Sequence, residues 1–370
     1  MRDRIRVLHA ADLHMDSPFE ALSGEKAAIR RAEQRALLGK IAELAREREV
    51  DLVLLAGDLL DSGSAYRETA LMLRQTLAEM EAKVFIAPGN HDFYSPRSVW
   101  ALLELPENVH VFRSNEIECV SLPELDTEVF GAAFTEESCP ALLRDFTPPE
   151  NPENRLRVLC LHGEVGTGEG KYNPMTEAQL ASCGMHYVAL GHIHACSGLR
   201  HAGDTCYAWP GCAEGRGFDE CGEKGVYITE ITRGGCSAEF VPIAARQYHR
   251  LEVDLSGGKD ALETVLQALP ECAERDIFRI ALRGETATAP KTEQLRAVLS
   301  ERVFALRLRD ETRPETDIWA RAEEDSLRGE FLRRMREKLD SATDETARAR
   351  LLMALRFGLA AMDNAEEPRG

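Results

Sequence analysis

The run Lys83-Val84-Phe85-Ile86-Ala87-Pro88-Gly89-Asn90-His91-Asp92 joins an apolar segment to a polar turn. Val84 to Ala87 has the length and composition of a buried strand, and Pro88 and Gly89 stop it and turn the chain. The turn brings an amide, an imidazole and a carboxylate to a strand's end, where ligands bind in α/β proteins. The Asn90 carbonyl oxygen is a hard ligand, His91 can bind metal or move a proton, and Asp92 can fix the tautomer of that ring.

Four other stretches repeat this form. Asp12-Leu13-His14 follows a strand from Arg4 to Ala11, and Gly57-Asp58 follows the apolar run Leu52 to Ala56. In an extended segment residues i and i+2 face the same side, so Asp12 and His14 can reach one ion. Asp58, after a tight turn, is expected to have both oxygens free to bridge two ions. Leu161-His162-Gly163 and Gly191-His192-Ile193-His194 supply three more imidazoles. The expected ligands are therefore Asp12, His14, Asp58, Asn90, His162, His192 and His194. Mixed nitrogen and oxygen donors suit divalent first-row ions such as Mn²⁺, Fe²⁺ or Zn²⁺, not Ca²⁺. Two such ions about 3.5–4 Å apart clamp a phosphoryl group and stabilise in-line displacement. His91, left over, is placed to stabilise the transition state or protonate the leaving oxygen. His9, His110, His186, His201 and His249 fall outside the pattern and are read as structural or surface residues.

Helical periodicity over Glu25 to Glu49 and Tyr66 to Glu81 separates the first three strands, and this β-α-β-α-β order predicts a parallel sheet with crossover helices. Short strands follow between Val109 and Ile243, with short helices expected at Pro96–Leu105, Pro140–Phe146 and Thr176–Cys183. The fold class is α/β, a β-sandwich flanked by helices. Residues 1–245 form the main domain. Residues 246–312, with a βαβαβ-like pattern, form a small α/β domain, and residues 313–370 are C-terminal helices running from Ile318 to Met362 with a break near Ser341-Ala342-Thr343. Gly166-Thr-Gly-Glu-Gly-Lys171 is not a P-loop, because Val165 and Tyr172 occupy positions that need Gly and Ser or Thr; it reads as a flexible loop near His162.

The 370-residue chain carries a formal charge of −18, which argues against nucleic-acid binding through bulk positive charge. Metal ions can still bring local positive charge to an acidic site. No signal peptide or membrane span is read, so the ten scattered cysteines are expected to be reduced thiols of a cytoplasmic protein.

The ordered set Asp12-x-His14, Gly57-Asp58-x-x-Asp61, Gly89-Asn90-His91-Asp92, His162 and Gly191-His192-x-His194 resembles the calcineurin-like metallophosphoesterases. Ala189 to His194, and Trp209 to Glu220 followed by Gly222 to Val226, look like the SbcD-type DNA repair exonucleases. The opening His9 to Phe19 is closer to a shorter SbcD-like subgroup, the YhaO-like proteins. The resemblance is strong over residues 1–245 and weak beyond.

It implies a four-layer α/β/β/α sandwich with a cap domain at 246–312 and a helical tail. It implies one ion on Asp12, His14, Asp58 and His194 and a second on Asp58, Asn90, His162 and His192. His91 would be catalytic and steadied by Asp92. Mn²⁺ as metal, DNA as substrate, homodimerisation, and docking of the C-terminal helices on an SbcC-like ATPase are likewise implied. Two alternatives stay open at this point: a phosphodiesterase or phosphatase acting on a small or lipid phosphoester, and a non-catalytic scaffold.

Overall fold

The computed structural model describes residues 2–286, 288–314, 319–342 and 344–366. In chain order the first elements are β1 (Arg4–Ala10), α1 (Gly24–Glu47), β2 (Leu52–Leu55), α2 (Arg67–Ala78), β3 (Lys83–Ile86), α3 (Val99–Leu102) and β4 (Val109–Val111). Next come β5 (Glu118–Leu122), β6 (Thr127–Gly131), β7 (Leu156–His162), β8 (Glu164–Val165), β9 (Pro174–Met175), α4 (Glu177–Ser182), β10 (Tyr187–Gly191), β11 (Arg200–Ala202), β12 (Thr205–Ala208), β13 (Gly225–Thr232) and β14 (Gly235–Pro242).

β1, β2, β3 and β4 pair in parallel, and β13 and β14 extend that sheet antiparallel beyond β1. The second six-stranded sheet runs β11-β12-β10-β7-β6-β5, with β6, β7, β10 and β12 parallel. The apolar runs carry this arrangement: every residue of β2 and β7 is buried, as a strand covered on both faces requires.

Ile5, Val7, Leu54 and Phe85 from the first sheet pack against Val129, Val158, Tyr187 and Ala208 from the second. The outer face of the first sheet is covered by Leu37, Leu38 and Ile41 of α1 and Leu73 and Leu77 of α2. Leu180 of α4 packs with Leu159, Leu161 and Val188 on the outer face of the second. The result is the four-layer α/β/β/α sandwich. His9 sits between the sheets, fully buried, with Nδ1 at 2.9 Å from the Tyr187 hydroxyl and Nε2 at 3.2 Å from the Leu190 carbonyl.

The chain continues through β15 (Tyr248–Asp254), α5 (Ala261–Ala268), β16 (Ile277–Arg283), β17 (Glu285–Thr286), α6 (Thr292–Leu299), β18 (Ala305–Asp310), β19 (Arg313–Pro314), α7 (Leu327–Asp340) and α8 (Glu345–Glu366). β15, β16 and β18 form a three-stranded sheet in the order β15-β16-β18. Two compact units divide the chain. One is Met1–Glu252 with Ala268–Ala281 and Thr292–Arg309; the other is Val253–Gln267 with Leu282–Lys291 and Asp310–Gly370.

Several local expectations change. Pro140–Phe146 is a set of turns rather than a helix. The C-terminal helix starts at Leu327, where the Ser326 hydroxyl accepts from the Gly329 N–H and caps the first turn. Ahead of it, the Arg333 guanidinium donates to the Ala322 and Glu324 carbonyls and holds residues 322–324 as turns. Ile318 and Thr343 lie outside the described residues. The segment 166–171 is bounded by the short parallel pair β8–β9. No helix among the described residues is long and apolar enough to cross a membrane.

Candidate metal centre

The ligand-bearing turns lie at the C-terminal ends of β1, β2, β3, β7 and β10, and three glycines let them close on one another. A Cβ on Gly89 would stand 2.3 Å from Asp58 Oδ1, and one on Gly191 would stand 1.8 Å from the Ala56 carbonyl oxygen. Gly57, at φ +87°, leaves no room beside the His162 ring.

Asp12 and His14 do meet, but not by strand alternation. Asp12 (φ 52°), His14 (φ 45°) and Asp58 (φ 51°) take left-handed conformations, and His192 lies at φ 93°. Such backbone costs on the order of 1–3 kcal/mol per residue and persists where the surroundings over-determine it. Here the Asp12 N–H is held by the Gly57 carbonyl at 3.0 Å and the His14 N–H by the Asp58 carbonyl at 2.9 Å.

Asp12, His14, Asp58 and His162 are buried. Their ligand atoms fall into three groups, each within 4.8 Å: Asp12, His14 and His194; Asp12, Asp58 and His162; and His14, Asp58 and His91. Both buried carboxylates are thus shared between groups. The Asn90 Oδ1 lies 3.0 Å from His162 Nε2. His192 stands somewhat apart: its N–H donates to both Asp12 carboxylate oxygens at 3.1 Å, while its ring packs against Tyr172 and His162. His91 is exposed and contributes to a ligand group instead of standing clear of them.

Three of the rings are oriented from behind. The Nδ1 of His14 faces Asp61 Oδ1 at 3.1 Å, that of His194 faces Glu220 Oε1 at 2.7 Å, and that of His162 faces the Ala56 carbonyl at 2.9 Å. Each Nδ1 thus faces an oxygen acceptor and each Nε2 is turned inward. Those Nε2 atoms converge: His14 Nε2 is 3.2 Å from His194 Nε2, His162 Nε2 is 3.4 Å from Asp58 Oδ2, and His194 Nε2 is 3.6 Å from Asp12 Oδ1. Imidazole nitrogens and carboxylate oxygens gathered this way form a mixed donor set that fits divalent first-row metal ions.

The electrostatics agree. Burial pushes the Asp12 carboxyl up, against the pull of His162 and His194. Burial also opposes the charge on Asp58, but His162, His14 and the His91 N–H outweigh it and hold this carboxyl below the usual carboxylate range. Burial disfavours a charged His162, yet Asp58 and Asp12 raise it to about 9, so without other cations this ring takes up a proton. His192 is lowered to about 4 by burial and by His162. The centre demands positive charge.

Two expectations are corrected. Asp58 does not keep both oxygens free, since Oδ1 accepts the His91 N–H at 2.8 Å. Asp92 does not steady the His91 ring. Its carboxylate is buried and accepts the N–H groups of Gly89 (2.8 Å), Leu59 (2.9 Å), Asp58 (3.2 Å) and Leu60 (3.3 Å), tying the β2 turn to the β3 turn. The His91 Nδ1 instead meets the Asp61 carbonyl at 3.2 Å.

Residues given no role from sequence complete the site. Arg216 bridges the orienting carboxylates, with Nη1 at 3.0 Å from Asp61 and Nη2 at 3.0 Å from Glu220. Asn173 Nδ2 donates to the His162 carbonyl at 3.0 Å.

Residues 5–196 match the family model described as calcineurin-like phosphoesterase. The chain belongs to this family of metallophosphoesterases. It is 30% identical over 346 residues to the "uncharacterized metallophosphoesterase YhaO" of Bacillus subtilis (strain 168), covering 84% of this chain and 83% of that relative. Among solved structures it is similar to a dimetal phosphatase from Danio rerio (13% identity, TM-score 0.40, 64% of this chain and 98% of that one). It is also similar to vacuolar protein sorting 29 from Cryptosporidium parvum (14% identity, TM-score 0.29, 65% and 98%).

Proposed function

We propose that this protein is a two-metal phosphodiesterase that cleaves DNA. The observation that carries the reading is the convergence of three inward-facing Nε2 atoms on two buried carboxylates, a donor set with no structural use of its own. Asp12, His14, Asp58 and His194 would hold one ion, and Asp58, Asn90, His162 and His192 the other. Mn²⁺ suits these mixed donors, with Fe²⁺ and Zn²⁺ compatible. When bound, the ions supply an activated water and neutralise phosphoryl charge.

The chain's own residues do the rest. Asp61 and Glu220 fix the His14 and His194 rings, and Arg216 locks both carboxylates in place. His91, exposed at the mouth with Nδ1 engaged by the Asp61 carbonyl, has Nε2 free, and in the imidazolium form Nε2–H would give its proton to the leaving oxygen, leaving the neutral ring. Asp92 acts by holding the turns that carry Asp58 and Asn90.

The acidic balance of the chain favours a partner that presents the DNA, and an SbcC-like ATPase is the proposed one. Leu352 and Phe357 of α8 are exposed apolar side chains suited to such docking. The test gives metal-depleted protein Mn²⁺ and then single-stranded DNA, duplex DNA or a chromogenic small diester, beside His91→Ala. DNA cleavage lost in the variant supports the nuclease. Turnover of the small diester with no DNA cleavage, with or without the ATPase, replaces it by a small-phosphoester hydrolase.

A further inference from the structure

Next to the metal centre, within the first compact unit, lies a cavity of about 420 Å³ that the proposed chemistry does not use. Its lining brings together Lys26, Arg216, Phe218, Tyr248, Arg279 and Arg307. In a chain of net charge −18 this is an unusual concentration of cations, and Asp219 is the one carboxylate in the lining.

Arg216 is paired with Asp61 and Glu220, but the other three cations are not neutralised by a carboxylate among the described residues. Lys26 has no ion pair among the described residues; its ammonium lies 5.5 Å from the Phe304 ring centre. The Arg279 guanidinium lies over Phe218 at 4.4 Å, and its buried Nε has no hydrogen-bond partner. Arg307 also lies over Phe218, at 5.7 Å, and spends one donor on the Ala21 carbonyl. Phe218 is in turn braced edge-on by Tyr248. Arg216 forms the shared wall: its Nη atoms hold the carboxylates behind His14 and His194, and its Nε is buried without a partner.

Unpaired guanidinium and ammonium groups on a rigid aromatic backing are the chemistry that takes a phosphate and stacks a base. The volume is that of a site for a small ligand or one nucleotide. We infer that this cavity is a subsite for a nucleotide flanking the scissile phosphate, held by Lys26, Arg279 and Arg307, so that the site selects a single-stranded polynucleotide over an isolated phosphoester. This rests on the phosphodiesterase reading above and adds its substrate class.

The test separates binding from hydrolysis. Binding of a fluorescein-labelled deoxythymidine decamer to the full chain is followed by anisotropy in chelator, with no metal present. Arg279→Gln and Lys26→Gln should each weaken binding about tenfold and lower the salt dependence by roughly one counterion. Arg279→Lys, which keeps the charge, should retain more affinity than Arg279→Gln. With Mn²⁺ added, turnover of bis(p-nitrophenyl) phosphate, which has no flanking nucleotide, should stay within about twofold of wild type in all three variants. The inference is overturned if wild type does not bind the decamer, if Arg279→Gln with Lys26→Gln binds as wild type does, or if diester turnover falls as far as decamer binding. Charge-dependent binding without diester hydrolysis by wild type would sink the catalytic reading and leave the subsite standing. Hydrolysis without that binding would do the reverse.

Discussion

The turns after the first sheet and those after the second reach the same centre by different physical means. In the first, the backbone does the placing: Asp12, His14 and Asp58 sit at positive φ, and Asp92 gathers four N–H groups to hold the β2 and β3 turns together. In the second, of three imidazoles only His192 sits at positive φ, and hydrogen bonds at the far edge of the ring orient the other two, as Asp61 does for His14: His162 through the Ala56 carbonyl and His194 through Glu220. The first sheet therefore fixes negative charge within the fold. The second aims imidazole nitrogens at it.

If that division is right, substitutions on the two sides fail differently. Asp58→Ala removes the carboxylate shared by two ligand groups and should lower diester turnover by roughly 10³-fold or more; near-wild-type turnover would remove Asp58 from the centre. Asp92→Ala should act on the fold itself. It strands four backbone N–H groups, and at about 1–3 kcal/mol for each group left unsatisfied the loss in urea unfolding should exceed about 3 kcal/mol. An unchanged unfolding midpoint with lost turnover would return Asp92 to a catalytic role.

On the second side, Glu220→Gln should cost less stability than Asp92→Ala and weaken Mn²⁺ binding about 10–100-fold in calorimetry, as loss of a ring-orienting partner does. A large stability loss there would erase the contrast. The mildest test concerns the seam. Burial holds His9 down at about 3, against an ordinary value of 6.5, with the Leu190 carbonyl opposing. The folded state keeps it neutral, so its contribution is present above pH 6.5 and is lost as pH falls from 6.5 towards 3. The slope should be on the order of 1.4 kcal/mol per pH unit. His9→Phe should flatten that part of the urea-midpoint profile against pH.

The sandwich was legible because its strands are buried on both faces and read as continuous apolar runs, and because α1 and α2 are long enough to show helical texture. The Asp and His side chains that gather at the candidate centre were legible because such residues at strand ends are conspicuous. What sequence obscured was the support behind them. Glu220 orients a ring 26 positions away, and Arg216 reaches across 155 positions to Asp61; no local pattern announces such a pairing. Asp92 misled through adjacency: it follows His91, but its carboxylate turns inward to the backbone while the ring faces solvent. Pro140–Phe146 lacks the length for periodicity to separate a helix from turns. The cavity at Phe218 draws on residues 26, 216–219, 279 and 307, a set that only the fold assembles.

The central claim is that two divalent ions on these ligands drive phosphodiester hydrolysis. The direct measurement titrates Mn²⁺ into metal-depleted protein while following occupancy and bis(p-nitrophenyl) phosphate turnover together. The account predicts two ions bound per chain, turnover that rises with their occupancy, and loss of both in Asp58→Ala. Full turnover in excess chelator, or a wild-type chain that binds no ion at this centre, would contradict it.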